Sequence, residues 1–322
     1  MGALVKRRIW VIATDGAACL HYRLRLPLMN LNPEEFEVVW EPPADHWHPG
    51  DLVIGQRIAG HNSAWMEMCE APGLTTIYDL DDNLLQVDKA NSVPYSIYAP
   101  QVAGTIACIG ASTAVTVSTP KLAQYIRSFN PNVFVLPNCL PQDYVSSINF
   151  PEEHITVGWC GSMFHIQDWG GVAQQLAVYA QQEPRARFST IGADYMNPVV
   201  PARVHPWTTV EGAWHAMDFS IGIAPLVKTT FNEHKSWIKV LEYAARGVPA
   251  VAPRIGQYPE FIEHGVNGLL YDVLEEIPSL LLQLSDDRLR SGMSEAAMNT
   301  ALQYTIDKQI ERWETIYREV YK

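Results

Sequence analysis

Lys235, Lys239 and Glu242 recur at i, i+4 and i+7 within FNEHKSWIKVLEYAARGVPAVAPRIGQYPEFIEHGVNGLL, residues 231–270. In a helix that spacing puts all three on one face. Two ammonium groups followed by a carboxylate suit a diphosphate and a ribose; the same pattern also describes an ordinary solvated charged face. A second group lies in ITVGWCGSMFHIQDW, residues 155–169. A strand is expected to end at Trp159 or Cys160, with Gly161 and Ser162 leading into a helix. Backbone N–H groups at a helix start bind phosphate. Gly161 would let a ligand approach the backbone, Ser162 would donate its hydroxyl, and His165 would reach the phosphate or the group attached to it. The plainer alternative is a turn and helix cap, with His165 on the surface. A third group is Asp79, Asp81 and Asp82 in IYDLDDNLL. Carboxylates at the C-terminal end of a strand lie where α/β folds place ligands. They would orient a hydroxyl or serve as a base, hold magnesium, or cap the next helix.

The elements that must position these groups alternate along the chain. Strands are expected at Ile9–Ala13, Glu37–Trp40, Leu52–Ile54, Thr75–Asp79, Ala114–Val117 and Val133–Leu136. Helices are expected at Tyr22–Met29, Ser63–Cys69, Val102–Ala111 and Pro120–Phe129, the last opened by Pro120 at its first turn. A second alternating series has strands at Ile155–Trp159, Arg187–Ile191, Phe219–Ala224, Ala250–Ala252 and Leu269–Tyr271. A helix is expected from about Lys235 to Arg246, stopped by Gly247. Alternation of this kind predicts α/β architecture with parallel, doubly wound sheets. The polar, proline-containing stretch 140–153 suits a linker. A final helix, about Ile306–Tyr321, carries Ile310, Trp313, Ile316, Tyr317 and Val320 on one face.

With 322 residues the chain suits two domains. A net charge of −12 sets the whole surface against nucleic acid and anionic membrane unless a local basic patch compensates. The five cysteines are scattered, with no CxxC spacing, so neither a zinc site nor a disulfide framework is indicated. A reducing cytoplasm is the expected location. The run Ile9–Ala13 after Lys6, Arg7 and Arg8 is too short for a signal peptide core and reads as the first strand. No stretch approaches the roughly 18 apolar residues of a membrane-spanning helix. No GxGxxG follows the first strand, which disfavours a dinucleotide cofactor.

LEYAARGVPAVAPRIGQYPEFIEHGVNGLLYD resembles the donor-binding segment of GT-B glycosyltransferases of the glycosyltransferase 4 / group 1 type. Glu242, Gly247, Pro249, Pro259, Glu260, Gly265, Asn267 and Gly268 stand in step with that family's pattern. Gly158, Trp159, Gly161, Ser162, His165 and Asp168 match the "GWxGSxxHxxD" start of its donor domain. Residues 111–141 resemble a further stretch of it, with Cys139 where glycine is usual.

The resemblance implies two Rossmann-like domains facing across a cleft. The N-terminal, acceptor-binding one would span 1–145, the C-terminal, nucleotide-sugar-binding one 146–305, and a helix at 306–322 would cross back. It implies transfer of a sugar from a nucleotide-diphosphate sugar, UDP- or GDP-linked, to an acceptor hydroxyl, with retention and without a metal or other cofactor. Lys235 and Lys239 would stabilise the leaving diphosphate, with His165 and Asp81 the other catalytic candidates. Gly16, Gly161 and Ser162 would line the donor, Glu242 would hold the ribose, and Trp207 would stack on the base. Two glutamates eight positions apart are usual; here the first falls at His234, beside Glu233, and a KSxxKxxE variant including Ser236 fits better. Asp15, His21, Arg23, Asp79 and Asp82 are the acceptor candidates. The acceptor would be a glycan or lipid-linked glycan, and the protein a monomer or homodimer. A phage-type enzyme acting on a hydroxymethylated DNA base is an alternative, using a patch of Arg23, Arg25, Arg57, Lys89, Lys121 and Arg127. A non-catalytic nucleotide-sugar-binding subunit is another.

Overall fold

The structure, a computed structural model, describes residues 6–13, 18–40, 47–60, 62–147 and 153–321. Its contacts divide the chain into two compact units. The first comprises residues 1–139, 234–236 and 306–322; the second comprises 140–233 and 237–305.

The first unit holds a six-stranded sheet. Its strands are β1 (Arg7–Ala13), β2 (Phe36–Trp40), β3 (Leu52–Gln56), β4 (Thr75–Leu80), β5 (Ala114–Val117) and β6 (Val133–Val135). They lie in the order β2-β1-β3-β4-β5-β6, all parallel. β3 and β4 are buried throughout, as in a parallel sheet covered on both faces. Helices α1 (Ser63–Glu70) and α2 (Val102–Ala111) belong to this unit. Asn62 caps α1 by accepting from the Trp65 N–H at 3.0 Å.

The second unit repeats the plan. Its strands are β7 (Ile155–Gly161), β8 (Ala186–Gly192), β9 (Arg203–His205), β10 (Ile221–Ile223), β11 (Ala250–Pro253) and β12 (Gly268–Tyr271). Their order is β12-β11-β10-β7-β8-β9, again all parallel. Helices α3 (Val172–Gln182), α4 (Ile238–Ala245) and α5 (Asp287–Ala301) belong to it. The core joins Val157, Trp159, Ile221 and Val251 from the sheet to Leu176, Tyr179, Ile277 and Leu281 from helices.

The chain ends in α6 (Ile306–Val320). Trp313, Ile316, Tyr317 and Val320 enter the core of the first unit beside Ile9, Val11 and Leu31. The apolar face expected of this segment is the one that is buried. Two parallel sheets with helices are the expected α/β architecture. The expected helix from Lys235 to Arg246 starts later, at Ile238, and residues 234–236 count with the first unit. β9 falls where only a loop was expected; it is three residues long and largely exposed, so it carries no hydrophobic pattern.

Candidate functional site

In the second unit the strand order reverses between β10 and β7, and ligands of open α/β sheets bind beyond the carboxyl ends at such a point. β10 pairs with β7 only as far as Gly158, so the N–H of Cys160 has no strand partner on that side. The Tyr243 hydroxyl on α4 fills the gap: it accepts from the Cys160 N–H at 3.1 Å and donates to the Ile223 carbonyl at 3.3 Å. One turn earlier on the same helix, Lys239 Nζ donates to the Cys160 carbonyl and stands 5.5 Å from the centroid of the Trp159 ring. Burial pushes the Cys160 thiol up to about 12, with Glu242 adding to the rise and Lys239 opposing it. Lys239 of α4 is therefore tied to the end of β7, next to Gly161 and Ser162.

Two glycines allow this end to be tight. A Cβ on Gly161 would lie 2.5 Å from the Trp159 ring, which folds back beneath it. Gly192, at φ +95°, brings the end of β8 so close that a Cβ would lie 2.3 Å from the Gly161 carbonyl oxygen. The same Cβ would be 3.6 Å from that of Trp207, which puts this 40% exposed residue beside Gly192 at the end of β8. Gly161, Trp207 and Lys239 thus share one end of the second sheet, with Glu242 on the same helix as Lys239.

The element after Gly161 differs from expectation. It is a seven-residue 3₁₀ segment, Met163–Trp169, capped by the Ser162 hydroxyl accepting from the Phe164 N–H at 3.4 Å. A 3₁₀ segment of this length aligns few peptide dipoles, so the cationic contribution here comes chiefly from Lys239. His165 lies on this segment, its ring edge-on to Trp159 with centroids 6.0 Å apart. Its Nδ1 is 2.8 Å from Asp168 Oδ2. Asp168 is 3% exposed, and its Oδ1 accepts from the Val227 N–H at 3.0 Å and from Asn232 Nδ2 at 2.6 Å. Glu233 closes the short helix Thr230–Glu233 of the same unit and is half-buried.

The remaining candidates lie in the first unit. Lys235 is not on the helix with Lys239; its Nζ is 3.5 Å from Asp82. His234 is buried, with Nδ1 3.2 Å from Asn83 Nδ2 and its carbonyl accepting from Thr119 Oγ1. Ser236 accepts from Asn138 Nδ2 at 2.9 Å. All three were expected on the donor side. Asp81 is clamped by Arg57, whose Nε and Nη2 lie 2.6 and 2.8 Å from its two oxygens. Burial alone would raise this carboxyl, but Arg57 outweighs it and holds the pKa at about 2. A carboxylate held this low is a weak proton acceptor. Arg23 and Asp79, expected at the acceptor, are each 1% exposed and spent on each other at 2.7 Å. Asp79 also accepts from Thr116, and Arg23 donates to Asn138. His21 lies in a π-helical turn, His21–Arg25. Burial, then Arg25, lowers its pKa, and among the described residues its Nε2 has no hydrogen-bond partner. Asp15 and Gly16 lie outside the described residues. The expected basic patch loses Arg23 and Arg57 to these internal pairs.

Sequence reasoning missed Tyr243 and the bonding of Asn232, placed Arg57 only in a basic patch, and gave Asp168 no role. Two signals were present: Tyr243 is at i+4 from Lys239, and Asp168 at i+3 from His165, both same-face spacings. The partners of Arg57 and Asn232 are distant in sequence and left no local trace.

Residues 155–287 match the family model described as glycosyl transferases group 1. The chain is 35% identical over 85 residues to the N-acetyl-alpha-D-glucosaminyl L-malate synthase of Bacillus anthracis, an alignment covering 25% of this chain and 22% of that protein. It therefore spans about a fifth of the length of that relative. Among solved structures, TarM is similar at a TM-score of 0.62 and 16% identity, over 83% of this chain and 54% of TarM. Anabaena HepE in complex with UDP-glucose is similar at a TM-score of 0.66 and 13% identity, over 97% of this chain and 99% of that one. With two parallel six-stranded sheets and these neighbours, the chain has the GT-B fold, and its residues 155–287 match the glycosyl transferases group 1 model.

Proposed function

We propose that this protein is a glycosyltransferase that moves a sugar from a nucleoside-diphosphate sugar to an acceptor hydroxyl. The observation that carries the reading is the seat of Lys239. Its ammonium group rests on the Cys160 carbonyl, one residue before the Gly161–Ser162 turn, inside the matched region. A cation fixed there meets the charge that grows on a departing diphosphate, and pre-placed charge of this kind lowers the barrier. Trp207 supplies a face for the base and Glu242 a carboxylate for the ribose. UDP-sugars are the first donors to try, because the HepE structure is described with UDP-glucose; GDP-sugars come next.

Transfer with retention, by front-side attack as the diphosphate leaves and without a metal, is the accompanying reading, as is a glycan or lipid-linked glycan acceptor. Among the described residues no helix is long and apolar enough to cross a membrane. The internal pairing of Arg23 and Arg57 weakens the DNA-base alternative.

A panel of UDP-, GDP-, ADP- and dTDP-sugars screened by thermal shift tests the donor site. A ligand of the folded state stabilises it by RT ln(1 + [L]/Kd), about 2.7 kcal/mol at 100 times Kd. At least one sugar nucleotide should raise the melting temperature, and the Lys239→Ala variant should lose most of that rise. No shift with any of the four classes would sink the proposal. Slow donor hydrolysis without acceptor separates an enzyme from a binding subunit, and the anomer formed decides the stereochemistry.

A further inference from the structure

We infer that Asp168 is a positioning residue, the node that sets the ring of His165 and the loop 225–232 as two walls of the donor-sugar site. The inference rests on the proposed function for the identity of the ligand and on geometry for the rest. Asp168 sits at the end of the 3₁₀ segment that follows the Gly161–Ser162 turn, with its side chain 2% exposed. A carboxylate so deeply buried is tolerated only where donors satisfy it. Three do, from two separate stretches of chain. Oδ2 faces His165 Nδ1 at 2.8 Å, on its own segment. Oδ1 accepts the Val227 N–H and the Asn232 side-chain amide from the loop after β10. Asn232 extends the node by donating to the Val227 carbonyl at 2.9 Å, and its own N–H is held by Thr229 Oγ1 at 3.2 Å. The loop thus closes on itself around one side chain, and that side chain is bound to Asp168.

The consequence for His165 is chemical. With Oδ1 already accepting two N–H groups, a carboxylate at Oδ2 takes the Nδ1 proton, so the neutral ring carries its lone pair at Nε2. The Trp159 and His165 rings also meet at 82°, centroids 6.0 Å apart, so carboxylate and indole both bear on the orientation of the imidazole. The side chain is set to accept a hydrogen bond from a sugar hydroxyl through Nε2, and to be stabilised by Asp168 when it takes up a proton. The ligand class is therefore a sugar that offers a hydroxyl at that point, held between His165 and the loop anchored by Asn232.

The test uses the full-length protein. Long-range ¹⁵N–¹H correlation spectra of the labelled chain, with the His165 signals assigned from His165→Gln, report the ring tautomer. Above the histidine titration, wild-type His165 should be the Nδ1–H form; an Nε2–H form overturns the inference without any variant. In Asp168→Asn the tautomer should move toward Nε2–H. Its kcat/KM for the sugar nucleotide should fall about 10- to 100-fold, a scale set by loss of orientation, while affinity for the bare nucleoside diphosphate holds within about 3-fold. The Asp168→Asn, His165→Gln double variant should be no worse than either single one, because both act through the same ring. Equal losses for diphosphate and sugar nucleotide, or additive losses in the double variant, overturn the inference. If Asp168→Asn does not fold, Asn232→Ala replaces it, with the same split between sugar nucleotide and diphosphate expected. If no sugar nucleotide binds even the wild type, the functional proposal fails, and the tautomer alone decides whether Asp168 governs His165.

Discussion

Replacing Lys239 with alanine removes an ammonium group whose structural and functional contributions can be separated. In the folded protein Lys239 makes a hydrogen bond to the Cys160 carbonyl and a cation–π contact with Trp159. A hydrogen bond of this kind contributes about 0.5–1.5 kcal/mol net, and a cation–π pair whose cation is partly exposed about 0.5–1 kcal/mol. The stability loss should therefore be about 1–2.5 kcal/mol. Against a typical stability of about 5–15 kcal/mol that leaves the protein folded at 25 °C. The functional loss should be larger. Removing one donor aimed at developing negative charge lowers kcat by roughly 10²–10³, or about 2.7–4 kcal/mol. The assay pairs initial rates at saturating sugar nucleotide with urea unfolding of the same preparation. Lys239→Arg keeps the charge and should keep most of the rate, whereas Lys239→Met keeps the stem alone and should behave as the alanine variant does. The reasoning fails if the rate drops less than about 5-fold, or if the fraction unfolded accounts for the drop.

Three other outcomes are expected. Asp81, held at about 2 against an ordinary value of 3.8, contributes on the order of 2 kcal/mol by linkage. Because its folded pKa is depressed, that stability is complete above about pH 4 and is lost as pH falls toward 2. Urea midpoints should therefore fall over that window in wild type and much less in Asp81→Asn; parallel profiles would reject the assignment. A Cβ on Gly158 would meet the Phe219 ring at 1.8 Å. Gly158→Ala should thus destabilise by roughly 3 kcal/mol or more through overpacking, seen as a lower melting temperature or insoluble protein, and a melting temperature within one degree of wild type would contradict the packing. Trp207, 40% exposed, should matter little to folding, yet a lost base stack weakens binding by roughly 1–3 kcal/mol, or about 5- to 150-fold; unchanged calorimetric affinity of Trp207→Ala for the nucleotide would remove it from the site.

The sequence was most legible where a signal is local. Helix α2 and strand β5 have the bounds their residues suggest, because an apolar helical run and a β-branched run each end at a turn residue. The end of β7 was legible only to within a residue or two: the strand was expected to stop at Trp159 or Cys160 and runs on to Gly161. The start of α4 was not. Lys235 fits the helical period as well as Lys239 does, but its partner Asp82 belongs to a distant stretch, and tertiary pairing overrode the local pattern. Arg23, Asp79, Arg57 and Asp81 likewise have partners that no local pattern shows. A charged residue near a strand end looks like a ligand group until its counter-charge is known, and these four are each other's counter-charges. β9 was hidden because an exposed three-residue edge strand needs no alternation.

The Tyr243 hydroxyl substitutes for a missing rung where two strands part company. Bound to both strands at that point, Tyr243 opposes rotation or axial slide of α4. The helix's ammonium and carboxylate groups then keep a constant depth and bearing above the sheet. On the proposed function, accommodation of sugars differing in bulk would fall instead to the turns around it, and loop changes would alter selectivity while leaving the lysine in place.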